Sequence, residues 1–311
     1  MQIVCYTPEK REEWNQFIQS SRNGTFLLSR EYIEYHGVRF PEHSLLCYKG
    51  NELMAVVPGN LAGNIYHTHQ GLTYGGMIFS YQVTISHILK FFELILTHLK
   101  EEFKVEQLIY RAIPAIYHAY PAEEDLYALF RNKAELFERK LSTTILLEQT
   151  QPFKTLRERQ IKRAAKSELR IHETTDITPF WHILSHLLQE KHNTTPVHSE
   201  AEMHHLMQLF PEEIKFFGVY DKKEMIAGTI VYDTKQVAHL QYIASNKKGK
   251  TLGALDFLFS YLIHERYAHK RYLDFGISVE ESGWYLNKGL VSQKEGFGGR
   301  AIMYDTYRIR L

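Results

Sequence analysis

The chain has 311 residues, a length that favours two domains of ordinary size. Lys and Arg number 37 against 36 Asp and Glu, a formal charge of +1, so the overall balance draws the chain to neither nucleic acid nor anionic lipid. With 44% apolar and 23% charged residues, two cysteines, and no apolar run near the ~20 residues of a membrane span, composition excludes extended disorder, a membrane-spanning helix and a cysteine-stapled scaffold. The stretch from Met1 to Trp14 has neither a basic n-region nor an apolar h-region. A cytoplasmic protein with no membrane insertion is expected.

In chain order, residues 44–48 and 53–57 read as a hairpin around Tyr48-Lys-Gly-Asn-Glu52-Leu53-Met54-Ala55. A glycine-rich stretch, residues 59–76, follows. Ile85, Ile88, Leu89, Phe92, Ile95, Leu96, Leu99 and Phe103 then keep helical spacing, and a strand over 107–112 comes next. The apolar strand 143–147 ends in Glu-Gln-Thr-Gln-Pro152, where a domain boundary near residue 150 is expected, giving domains 1–150 and 151–311. The basic stretch 154–172 holds seven Lys and Arg against Glu158 and Glu168, with Arg159, Lys162, Arg163, Lys166 and Arg170 at helical spacing.

A second hairpin, residues 214–220 and 225–232, carries Tyr220-Asp-Lys-Lys-Glu224-Met225-Ile226-Ala227, the same Tyr-x-x-x-Glu-apolar-apolar-Ala spacing as the first. A strand over 237–244, a Gly-bearing turn, a helix with Leu252, Leu255, Phe259, Leu262 and Ile263 on one face, and a strand over 271–277 complete the series. The order hairpin, helix, strand therefore repeats. The fold class implied is α/β, a mixed sheet with flanking helices in two related halves.

Three stretches of the second half, Arg271-Tyr-Leu-Asp-Phe-Gly-Ile-Ser278, Tyr285-Leu-Asn-Lys-Gly-Leu290 and Gln293-Lys294-Glu-Gly-Phe-Gly-Gly-Arg300, resemble the GNAT acyltransferase superfamily and its FemAB-like branch of two tandem GNAT domains. Lys191-His-Asn-Thr-Thr-Pro-Val-His198 adds to the likeness, which covers most of the chain from Lys154 onward. The resemblance implies a degenerate first GNAT-like domain with an acceptor groove and a second that holds the donor site and catalytic residues. Two departures stand out. The coenzyme-binding turn of acetyl-CoA-dependent relatives corresponds to Asn246-Lys-Lys-Gly249-Lys-Thr-Leu-Gly253-Ala254, whose glycines lie four apart. No long heptad pair supplies the helical arm that tRNA-dependent members carry.

The resemblance places Lys294 near the acyl carbonyl, where an ammonium would stabilise the oxyanion of amine attack. Alternation puts Tyr272, Asp274, Gly276 and Ser278 on one strand face, making Asp274 a candidate base, with Glu280 and Glu281 as others. Tyr285 is the candidate proton donor to a leaving thiolate. Lys247, Lys248, Gly249, Lys250 and Gly253 form a candidate anion-binding turn at a helix start, and Asn287 joins them from the second motif. Gly296, Gly298 and Gly299 mark a turn or a close approach. Gln70 and Tyr74, within Gln70-Gly-Leu-Thr-Tyr-Gly-Gly76, are candidates for the acceptor groove, while Arg159 and Arg163 represent the basic stripe as phosphate partners.

No metal is expected. His67 and His69 lie two apart and His204 and His205 are adjacent, without acidic or cysteine partners at useful spacing. The expected activity is transfer of an acyl or aminoacyl group, from acyl-CoA (acetyl-CoA) or aminoacyl-tRNA, to a small-molecule or precursor amine by direct attack. Aminoacyl-tRNA-dependent transfer to an envelope precursor, with a tRNA contact, and a catalytically silent binding module are the alternatives.

Overall fold

A computed structural model describes every residue except Val38, with the backbone alone for Lys191 and His192, so those two side chains of the family-like stretch 191–198 lie outside the described residues. The strands are β1 (Gln2–Cys5), β2 (Leu45–Lys49), β3 (Glu52–Val57), β4 (Asn60–Ala62), β5 (Ile65–His67), β6 (Ile78–Phe79), β7 (Gln107–Arg111), β8 (Glu135–Leu146), β9 (Arg170–Glu173), β10 (Ile214–Asp221), β11 (Glu224–Asp233), β12 (Val237–Ser245), β13 (Tyr272–Ile277), β14 (Val279–Glu280), β15 (Tyr285–Leu286) and β16 (Arg300–Arg310). The helices are α1 (Arg11–Ser20), α2 (Arg30–Tyr35), α3 (Ile85–Glu101), α4 (Glu124–Arg131), α5 (Thr155–Lys166), α6 (Thr178–His192), α7 (Glu200–Leu209), α8 (Lys247–Leu252), α9 (Ala254–Tyr261) and α10 (Lys288–Glu295).

Two compact units result. The first comprises residues 1–141, 281–285 and 303–311, and the second 142–280 and 286–302. The division therefore falls at Leu141 and Ser142, inside β8, where the sequence placed it near residue 150. A proline-bearing polar stretch marks the end of a strand, but which unit each part of that strand packs into is a matter of tertiary contact.

In the first unit, β1, β2, β3 and β6 form an antiparallel sheet, and β5 runs parallel to β7. The intervening α3 starts at Thr84, which forms a capping box with His87, and buries Ile88, Phe91, Phe92, Ile95 and Leu99 in the core. In the second unit the strand order is β8-β13-β12-β11-β10-β9. All its neighbours are antiparallel except β12 and β13, which are joined through α8 and α9. Phe217, Phe259, Phe275 and Phe297 lie at the centre of its core.

The repeated octapeptide has a shared structural meaning. The β2–β3 hairpin is bulged between Cys47 and Tyr48, and the β10–β11 hairpin between Val219 and Tyr220. In each, the tyrosine pairs with the apolar residue five positions on, and the first turn residue, Gly50 or Lys222, is left-handed. Each bulged hairpin is followed in its own unit by a parallel strand pair linked through helix. Bulge, turn and crossover together make the duplication architectural.

Candidate active site

The site grows from the parting of β12 and β13. These strands pair in parallel at Val237–Tyr272, Ala238–Leu273 and His239–Asp274, and the pairing stops there. Just beyond, β12 slips register against β11 between Ile230 and Val231, and β13 slips against β8 between Asp274 and Ile277. Each slip is a bulge, which bends its strand and ends pairing locally. In β13 the bend needs Gly276 at φ +76°, a left-handed conformation that other residues rarely adopt. The parallel pairing of β12 and β13 thus ends at two adjacent bulges.

Asp274 is the hub at the fork. Its side chain is fully buried. Oδ1 accepts from Ser142 Oγ at 2.5 Å, Thr144 Oγ1 at 3.0 Å and the Gly276 amide at 3.1 Å, while Oδ2 faces His239 Nδ1 at 2.9 Å. A carboxylate engaged by this many donors holds geometry and is poorly placed to take a proton itself. The expected alternation is also broken. Because the bulge inserts a residue, Ile277 pairs with Ser142 as Asp274 pairs with Thr144, so Ile277, 44% exposed, continues the Asp274 face in place of Ser278, which is buried.

Lys294, from α10, supplies the cation. It is buried, not a surface residue paired to Glu295 or Glu281, and its Nζ donates to Gly276 O at 2.7 Å, Ile277 O at 2.9 Å and Ser278 Oγ at 2.8 Å. Gly276 lies in the β13 slip and Ile277 is where pairing with β8 resumes, so the lysine holds the backbone at the bulge itself. Burial lowers its pKa from 10.5 to about 8, against the opposing attraction of Asp274.

The expected anion-binding turn is different in kind. Residues 247–252 are the short helix α8, and the Gly249 amide already donates to Asn246 Oδ1 at 2.8 Å, a helix cap. A Cβ on Gly249 would lie 2.4 Å from Ile226 O, so this glycine permits close packing on β11. Gly253, at φ +74° and against Gln160 O, breaks the chain between α8 and α9. Lys248 is ion-paired to Asp221 at 2.7 Å and Glu224 at 2.6 Å. Gly249 and Gly253 thus serve capping and close packing, and the Gly249 amide is engaged within the turn. Exposed Lys250 borders a cleft of about 510 Å³ with Lys154, Arg157, Ser245, Ser292 and Gln293, and with Ser245 and exposed Lys247 it also borders an adjoining hollow of about 560 Å³ against α6.

Asn287 caps α10, accepting from the Leu290 amide at 3.1 Å and donating to Glu280 at 3.2 Å, which fixes the helix that delivers Lys294. Tyr285 is 53% exposed and groups with the first unit. Gly298, at φ +89°, and Gly299 pass close to Gln151 and Thr143, so this glycine cluster serves packing. Arg159, Lys162, Arg163 and Lys166 are exposed along α5. Arg163 also donates to Thr251 O at 3.0 Å. Arg170 leaves the stripe because the helix ends at Lys166 and Arg170 opens β9.

In the first unit, the glycine-rich stretch is packed against its own sheet. Arg111 donates to the carbonyls of His69, Gln70 and Leu72, and the Gly75 amide donates to Arg111 O, which closes the space beyond the β5–β7 pair. Gln70 is clasped on both sides by Asn60 at 2.8 Å. Tyr74 is 2% exposed, 3.1 Å from Thr25 Oγ1 and tilted against Tyr117, with ring centroids 4.7 Å apart. Gln70 and Tyr74 are thus both held by contacts within the first unit. Burial lowers the pKa of His67 to about 4 and of His69 to about 3, leaving both neutral near pH 7. Among the described residues no group of three or more His, Cys, Asp or Glu could hold a metal ion, and no helix is long and apolar enough to cross a membrane.

Residues that sequence reasoning missed are His239, Ser142 and Thr144. A lone histidine within Val237-Ala-His239-Leu-Gln241 carries no signal until the strand pairing that sets it beside Asp274 is known.

These features define a mixed α/β domain in which a short parallel strand pair, β12 and β13, parts at His239 and Asp274. Residues 153–282 match the model of the acetyltransferase (GNAT) domain family, and this part of the chain is a GNAT domain. Across its whole length the chain resembles solved structures in fold. The chain is similar to FemX, with a TM-score of 0.70 at 10% identity over 100% of this chain and 98% of that one. It is similar also to L-PGS from Bacillus licheniformis, with a TM-score of 0.60 at 13% identity over 97% and 90% of the two chains. A conserved protein of unknown function from Bacteroides thetaiotaomicron gives a TM-score of 0.57 at 12% identity over 100% and 99%. No curated protein matches the sequence.

Proposed function

We propose that the protein transfers an acyl or aminoacyl group from an activated thioester or ester donor to an amine, by direct attack at the fork of β12 and β13. The observation that carries this reading is the buried Lys294 ammonium bonded to Ser278 at the end of the diverging strand. Its three hydrogens are already engaged, so its effect on a developing oxyanion passes through Ser278, whose hydroxyl it polarises, and through its charge in a poorly hydrated place. Binding both reactants in the fork supplies proximity without a covalent intermediate.

The aminoacyl-tRNA form of the reading is favoured over acyl-CoA by two features: the Gly249 amide is committed to Asn246, and the exposed cations of α5 form a stripe suited to a phosphate backbone. The test is to incubate the protein with ¹⁴C-acetyl-CoA or with tRNA charged with ¹⁴C-amino acids and a panel of primary amines such as lysine-bearing peptides, with the rate in a protein-free control subtracted. Product from either donor, abolished in Lys294→Met while that variant keeps its fold by circular dichroism, supports the proposal. Product from neither, or an undiminished rate in the variant, refutes it and favours a silent binding module.

A further inference from the structure

We propose that His239 is the proton acceptor of this site and Asp274 the residue that positions it; this rests on the acyl-transfer reading above. An amine that attacks an acyl carbonyl forms a C–N bond and must lose a proton as the bond to the donor's sulfur or oxygen breaks. Asp274 is badly suited to receive that proton. It is fully buried, its Oδ1 is filled by Ser142, Thr144 and the Gly276 amide, and its Oδ2 is turned to an imidazole.

His239 is suited to it. With Nδ1 2.9 Å from a carboxylate oxygen, the neutral ring keeps its hydrogen on Nδ1 and its lone pair on Nε2. The Cε1–Nε2 edge faces Gly276, where a Cβ would stand 3.4 Å from Cε1 and 3.9 Å from Nε2. The glycine required by the bulge therefore also puts no side chain against that edge. The pair is the last one before β12 and β13 part, which places the imidazole at the mouth of the fork with 14% of its side chain exposed. The proton taken by Nε2 then returns to the leaving thiolate or alkoxide, so the ring is neutral again at the end of the cycle. The charged and titratable groups around it include Asp274 on β13, whose charge also acts on Lys294 of α10, and Tyr232, its cross-strand partner on β11.

Two readouts test this, one independent of turnover. In the full chain labelled with ¹⁵N-histidine, the His239 signals, identified by their loss in His239→Gln, should show a protonated Nδ1 and an unprotonated Nε2 at high pH. Asp274→Asn should shift the ring toward the opposite tautomer. An Nε2–H tautomer in the unaltered protein overturns the inference and leaves the acyl-transfer reading standing. With whichever of ¹⁴C-acetyl-CoA or ¹⁴C-aminoacyl-tRNA is turned over, His239→Gln should lower kcat about 100-fold or more, erase the acidic limb of the pH profile and leave the donor KM nearly unchanged. A profile identical to that of the unaltered protein overturns it. The expected tautomer without transfer from either donor refutes the acyl-transfer reading, and the catalytic role falls with it.

Discussion

Lys294 Nζ stands 2.8 Å from Ser278 Oγ and at the same time holds the carbonyls of Gly276 and Ile277 at the β13 bulge. Its ammonium is thus tied into the backbone that shapes the fork. Burial lowers its pKa from 10.5 to about 8, so between these values the unfolded chain binds more protons than the folded one. The penalty for burying the charge is fully present below pH 8 and is relieved as pH rises toward 10.5. The stability of the unaltered protein relative to Lys294→Met should therefore increase over that window, by an amount on the order of a few kcal/mol. Urea titrations of both proteins at pH 7.5 and 10 measure it, and a constant difference would refute the shift.

Gly253 and Gly276 are both left-handed, yet they should not respond alike. A Cβ on Gly253 meets Gln160 O at 2.7 Å, whereas one on Gly276 finds ordinary contact at 3.4 Å with His239. Positive φ alone costs an alanine about 1–2 kcal/mol. Gly276→Ala should lose roughly that much, and Gly253→Ala distinctly more because α5 must also move. Equal shifts in the denaturation midpoint would show that the close approach to α5 is unimportant.

Asp125 of the first unit is buried and receives the Tyr110 hydroxyl at 2.6 Å. Burial raises its pKa from 3.8 to about 7, with the Tyr110 hydrogen bond pulling the other way. The folded chain therefore holds a proton that the unfolded chain releases, and the stabilisation is complete below pH 3.8 and lost as pH climbs to 7. Asp125→Asn keeps an acceptor for Tyr110 and removes the titration. Calorimetry at pH 4.5 and 7.5 should show the variant gaining stability relative to the parent at the higher pH; no relative gain would contradict the raised pKa.

The exposed stripe of α5 makes a salt-dependent prediction. If Arg159, Lys162, Arg163 and Lys166 meet phosphates, tRNA affinity falls steeply with salt, and each contact removed flattens the log–log slope by roughly 0.7–0.9. Fluorescence anisotropy with Arg159→Glu and Lys162→Glu should show weaker binding and a shallower slope. A salt response matching the parent's would make the stripe a solvated helix face.

Much of the architecture was legible in the chain because local rules govern it. The spacing Tyr-x-x-x-Glu-apolar-apolar-Ala encodes a bulged two-residue hairpin wherever it occurs, and the 3.6-residue periodicity from Ile85 onward encodes α3. The basic stripe was readable up to Lys166 for the same reason, and failed at Arg170, where the hairpin edge of β10 recruits that residue into β9.

What the tertiary structure alone decided is what each polar side chain is for. Gly249 and the lysines of its turn have the composition of an anion site, but a cap from Asn246 and a close approach to Ile226 give that composition another cause. Tyr74 and Gln70 look like ligand contacts until Arg111 ties their loop to its own sheet. His239 meets Asp274 across 35 residues of chain, through a parallel pairing that includes no local contact at all. Sequence determined the duplicated α/β fold and pointed to Lys294. The burial that lowers its pKa and the carboxylate–imidazole pair at the fork depend on long-range pairing, and that is set by the packing of whole strands.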